Sequence, residues 1–160
     1  MKTRVILAIL CLVKLCACKT DPLASMPSFS YRMADSVSIA YSKDIPDDKP
    51  IVLIHFEADC TDCQRTTDSL LQNMEQLKNT RFYFLSTERF SQVTLFRKYY
   101  KLDQYSNITV GQDFAHFLPT HFKTPVTPYI ALYNSNKDLV GMYKGKPNIS
   151  ILVAAIKAIQ

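Results

Sequence analysis

The chain of 160 residues contains no run of five or more basic residues, no second close pair of cysteines, no internal repeat and no apolar stretch long enough to cross a membrane. Each absence excludes something. Without a basic run there is no electrostatic footprint for nucleic acid. The net charge of +5 does not restore one, because Lys2, Arg4 and Lys14 fall in an N-terminal segment expected to be removed, leaving about +2. The opening apolar run, Val5 to Val13, is nine residues long, too short for ~30 Å of hydrocarbon. One close cysteine pair cannot make a disulfide framework, which needs several bridges. What remains is a chain with 48% hydrophobic residues, enough for one domain with a proper core.

The first residues, MKTRVILAILCLVKLCACKTD, have a positive start, an apolar centre and small residues before a cysteine. That is the plan of a secretory signal. Leu15-Cys16-Ala17-Cys18 resembles the lipobox of bacterial lipoproteins, and the resemblance implies cleavage after residue 17 and a lipid on Cys18. Residues 1–17 are therefore expected to be a signal peptide and 18–34 a lipidated cysteine with a flexible tether, since Pro22, Pro27 and several serines break any periodicity there. The folded domain is expected over 35–160. Cys11 and Cys16 leave with the signal and Cys18 carries lipid, so Cys60 and Cys63 are the remaining thiols.

Within 35–160 the apolar patterning predicts β-βα-βα-βα-ββα. Ser36 to Ser42 alternates as a half-buried strand, and Ile51 to Phe56 is continuously apolar, as for a strand covered on both faces. Leu70, Met74 and Leu77 predict a helix over Thr61 to about Lys78. Arg81 to Ser86 is a strand, Ser91 to Lys101 a helix, Asn107 to Gly111 a strand and Phe114 to Phe122 a short helix. Tyr129 to Tyr133 and Asp138 to Tyr143 flank a turn of hairpin length, and Asn148 caps a C-terminal helix. An α/β layered fold follows.

Cys60-Thr61-Asp62-Cys63 stands where the buried strand hands over to the first helix. A cysteine at a helix N-terminus meets unpaired N–H groups that favour a thiolate, and a second cysteine one turn later faces it at disulfide distance. Cys60 would attack a substrate disulfide and Cys63 would resolve the mixed disulfide. Zinc sites also use this spacing, but they need two further ligands. His116 and His121 could supply them, which leaves a metallochaperone of copper or zinc as a second reading.

IVLIHFEADCTDC, the helix after it and TPVTPYIALYNSNKDLVGMYKG resemble the thioredoxin family, in particular the membrane-tethered, extracytoplasmic thiol-disulfide oxidoreductases (redoxins) of bacteria. The resemblance implies a thioredoxin fold: a central mixed β-sheet flanked by helices. It implies a redox-active Cys60-Cys63 disulfide, and Thr127 with a cis Pro128 facing the dithiol where a substrate chain binds. The 65 positions from Cys63 to Pro128 exceed by about 25 what one strand and one helix need, which resembles the helix-strand insertion of the redoxins, placed at 91–111. It further implies no cofactor, disulfide-bearing exported proteins as substrates, a membrane electron donor, a monomer, and a lipid-anchored place in the bacterial cell envelope, facing the periplasm. A peroxidase-like redoxin and a binding module with a vestigial dithiol are the remaining readings.

The chain departs from the family at several positions. It has no tryptophan; Asp59 precedes Cys60, and Ile54 stands where many relatives carry a buried acid. Glu57 is then the nearest candidate proton acceptor for Cys63. Asp59 and Asp62 either suit a helix N-terminus or oppose the Cys60 thiolate and bias the pair toward reduction of its targets. His55 is expected to be a satisfied core histidine.

Overall fold

The computed structural model describes residues 23–160, so the expected signal peptide and Cys18 lie outside the described residues. Among these residues seven strands form one sheet: β1 Ser30–Met33, β2 Ile39–Tyr41, β3 Ile51–His55, β4 Arg81–Ser86, β5 Ile108–Gln112, β6 Tyr129–Tyr133 and β7 Leu139–Lys144. Their order is β2-β1-β5-β4-β3-β6-β7. β4 runs parallel to both β3 and β5, and the other pairings are antiparallel. Among the described residues four α-helices complete the fold: α1 Thr61–Gln72, α2 Phe90–Tyr99, α3 Phe117–His121 and α4 Ile149–Ala158. None of the helices among the described residues is long and apolar enough to cross a membrane.

Every residue of β3 and β6 is buried, because strand alternation sends neighbouring side chains into two separate cores. Val52, Ile54, Phe82, Phe84, Ile130 and Leu132 face one core, where Leu70 of α1, Val93 and Phe96 of α2, and Leu152 and Ile156 of α4 cover them. Ile51, Leu53, Tyr83, Leu85, Ala131 and Tyr133 face the other, closed by Phe29, Tyr31, Leu118 and Phe122. Burying one such side chain stabilises by about 1.5–3 kcal/mol, so the two faces together fix the strand register. α2 and β5 are the expected helix-strand insertion.

The second core overturns one expectation. Residues 30–33, read as tether, form β1, which joins the sheet between β2 and β5. Phe29 and Tyr31 alternate into the core, and the segment before them pairs with the start of β7, where Met26 N–H donates to Lys137 O at 2.8 Å and Leu139 N–H to Ala24 O at 2.9 Å. The flexible segment cannot extend to residue 34, and the folded domain begins before residue 35. The prolines misled: Pro27 sits outside the ladder, and the period of two that follows it carries the chain into the sheet.

Smaller corrections have local causes. The strand read over Ser36 to Ser42 shrinks to Ile39–Tyr41 because Asp35 turns the chain, its carboxylate accepting Val37 and Ser38 N–H at 2.9 and 2.8 Å. The helix read to Lys78 ends at Gln72 and resumes as a 3-10 turn, Met74–Leu77, which still buries Met74 and Leu77. α2 stops at Tyr99, where the expected helix ran to Lys101; Lys101 is left-handed at φ 50°. α3 covers only Phe117–His121 of the expected 114–122. Asn148 caps α4 as expected, accepting from Ile151 N–H at 3.2 Å.

Candidate active site

β3 ends at His55 against Tyr129 of β6, and the five residues that follow carry the chain to the start of α1. Cys60 is the N-cap, its sulfur accepting the Cys63 N–H at 3.2 Å. Such an N–H, with the helix dipole behind it, is what a helix start offers to negative charge. On the other side, the Cys60 thiol reaches Thr127 O at 3.6 Å. The Thr127-Pro128 bond is cis, and Pro128 O accepts the Gly145 N–H at 2.9 Å, which holds the loop against the end of β7.

Both cysteines are free thiols in different surroundings. Cys60 is partly exposed, whereas Cys63 is 1% exposed and sits in the core with Ile54 and Phe56. Burial pushes the Cys63 thiol up, and its hydrogen bond with Cys60 adds to this; a backbone bond from Glu57 and the Thr127 side chain pull the other way. Thr127 thus bears on both cysteines, taking the Cys60 thiol on its carbonyl and favouring the Cys63 thiolate through its side chain. Glu57 meets Cys63 through its backbone, and its carbonyl closes the turn by accepting Cys60 N–H at 3.3 Å. Asp59 is exposed. Asp62 lies in the first turn of α1, 3.9 Å from Arg65 with its side chain 41% exposed.

Two acids absent from the sequence reading shape this end of the sheet. Glu88, just after β4, accepts the Ala58 N–H at 2.6 Å, and Gln112 of β5 donates to the Glu88 backbone at 2.8 Å. It pins the loop that delivers Cys60. Asp113, fully buried after β5, accepts the N–H groups of Phe117 and Leu118 at 2.9 and 2.8 Å. The usable signal was position, because residues beyond the carboxyl ends of parallel strands form the working edge of an α/β sheet.

The histidines depart from expectation. His55 is buried at 4% exposure, yet neither ring nitrogen has a hydrogen-bond partner, so it is a core histidine but not a satisfied one. Asp113 is close enough to act on it, but both of its oxygens are engaged by α3. His116 is exposed, and His121 stacks on Phe117. No group of three or more His, Cys, Asp or Glu residues able to hold a metal occurs among the described residues.

No family model matches the sequence. No curated protein matches it either. Solved structures do. A secreted Mycobacterium tuberculosis disulfide oxidoreductase homologous to Escherichia coli DsbE superposes at TM-score 0.68 and 17% identity, over 81% of this chain and 95% of that one. A Chlorobium tepidum chain described as a candidate thiol:disulfide interchange protein DsbE gives 0.68 at 16%, over 87% and 97%. The peroxidoxin BcpB of M. tuberculosis gives 0.69 at 11%, over 85% and 96%. The chain thus has the thioredoxin fold, shared by proteins described as oxidoreductases and as a peroxidoxin.

Proposed function

We propose that this thioredoxin-fold chain is a thiol-disulfide oxidoreductase of the bacterial cell envelope, reducing disulfides of exported proteins. The observation that carries the reading is the unequal pair: a partly exposed Cys60 sulfur held by the Cys63 N–H and Thr127 O, with the Cys63 sulfur buried beneath it. The Cys60 thiolate attacks one sulfur of the substrate disulfide, forming a mixed disulfide and releasing the first substrate thiolate. The Cys63 thiol then gives up its proton and attacks the Cys60 sulfur, releasing the second. Two electrons pass to the substrate, and the protein is left with a Cys60-Cys63 disulfide.

Thr127 suits both steps, its carbonyl beside the attacking sulfur and its side chain easing proton loss from the resolving thiol. A substrate chain lies against Thr127 and Pro128 in this reading. The buried Cys63 waits for the mixed disulfide to form before losing its proton, which keeps the two attacks in order. In this reading Asp59 and Asp62 bias the pair toward reducing its targets, and Glu57 is the candidate proton acceptor for Cys63. The signal at 1–17, the lipid on Cys18, the periplasmic setting, a monomeric state and a membrane donor that restores the dithiol belong to the same proposal and rest on the sequence.

Trapping tests it. Cys63→Ser in cells is expected to accumulate mixed disulfides between Cys60 and envelope proteins, visible as reductant-sensitive bands. Absence of adducts, together with failure of the wild-type pair to reduce model disulfides, sinks the proposal.

A further inference from the structure

Beside the dithiol the surface carries apolar side chains that the core does not use. Leu95 is 62% and Tyr99 76% exposed; four residues apart on α2, they share one helix face. With Phe96, Tyr100, Ala58 and Gln64 they line a cavity of about 220 Å³. Its floor is fixed by packed rings, Phe96 tilted against Phe56 at 4.3 Å and against Tyr100 at 4.7 Å between centroids, with Tyr99 edge-on to Tyr100 at 4.9 Å. Its opposite wall is the segment that bears the nucleophile. Gln64 donates through its side chain to Ala58 O at 2.9 Å and through its backbone to Cys60 O at 3.0 Å, while Glu88 holds Ala58 from behind.

Cavity and nucleophile therefore share one rigid stretch of chain. We propose that this cavity is a side-chain subsite for the disulfide-bearing polypeptide, taking one large apolar or aromatic residue within a few positions of the substrate cysteine. The inference rests on the reading of Cys60 as the attacking thiol. The occupant follows from the walls: no lining side chain carries a formal charge, four of the six are aromatic or leucine, and the ring faces and edges suit another aromatic group. It follows also from continuity, since the lining residues Ala58 and Gln64 lie two and four positions from Cys60, within reach of side chains on a polypeptide that is joined to Cys60 and lies against Thr127 and Pro128. An unattached small ligand would gain nothing from that adjacency.

The test uses the reduced full chain, disulfide-bearing peptides that differ only in Phe or Ser at the second, third or fourth position on either side of the cysteine, and oxidised glutathione as a small disulfide. Single-turnover oxidation of the dithiol is followed. The best Phe peptide is expected to react about tenfold faster than its Ser counterpart. The preference is expected to collapse to near unity in Leu95→Ser/Tyr99→Ser, two changes at exposed positions, and to persist in Ile151→Ser, exposed on α4. Equal rates for all Phe and Ser peptides, or an undiminished preference in the double variant, overturn the subsite while glutathione turnover leaves the dithiol reading standing. Failure to react with glutathione and with every peptide overturns that reading and the subsite with it.

Discussion

Cys60 and Cys63 sit one helical turn apart and meet different solvents: the first faces the Thr127 loop and water, the second the core. In the proposed reading that difference sets which sulfur attacks, and it arises from α1 turning Cys63 inward to the core that holds Ile54 and Phe56. His55 is a different kind of residue, a titratable group in an apolar place. Burial holds its pKa below the ordinary value; Asp113 opposes this and His116 adds to it. Below about pH 6.5 the unfolded chain takes up a proton that folded His55 resists, so stability is lost as pH falls from there toward the depressed value. His121 is shifted the same way by burial. The urea midpoint is expected to drop between about pH 7.5 and about pH 5.5, and to drop less in His55→Leu. Equal drops in both proteins would show that His55 is not a source of acid sensitivity.

Among the elements, β1 changes the picture most. It closes the sheet beyond β5, and its fit there depends on Gly111, where an added Cβ would lie 2.8 Å from both Arg32 O and the Tyr31 ring. Gly111→Ala is expected to cost about 1–3 kcal/mol by overpacking, read as a lowered urea midpoint with an unchanged slope. A neutral result would mean that β1 does not pack there in solution. Most other elements could be read from periodicity: β3 from its unbroken apolar run, β6 and β7 from their turn, and α4 from the Asn148 cap. β1 could not, because its signal is four residues long and follows two prolines. The working edge was half legible. Cys60, Cys63 and Thr127 are carried by motif and order, but Glu88 and Asp113 are ordinary acids in sequence and acquire roles only when β3, β4 and β5 bring their ends together.

For the molecule as a whole, the dithiol and the first described residues lie at opposite ends of the sheet. The dithiol lies at the end where His55 pairs with Tyr129; the first described residues join at the other, where Ala24 meets Leu139 near Tyr133. A strand of this length separates them by about 13 Å. A lipid on Cys18 would then hold the far pole toward the membrane and leave the dithiol and the Leu95–Tyr99 face directed outward. Cys18→Ser is expected to abolish labelling by a fatty-acid probe and to release the protein from the membrane fraction; retention of both would exclude Cys18 as the anchor.

By itself, the sequence determined the layered α/β class, the dithiol at a strand-to-helix junction and the loop before β6, since each depends on local periodicity or fixed spacing along the chain. Only the tertiary structure decided that residues 30–33 complete the sheet, that His55 is buried without partners, that Glu88 braces the loop before Cys60 and that α2 leaves an aromatic cavity beside it. Those features join residues about 30 or more positions apart, and no pattern along the chain records which distant side chains the folding of a sheet will make neighbours.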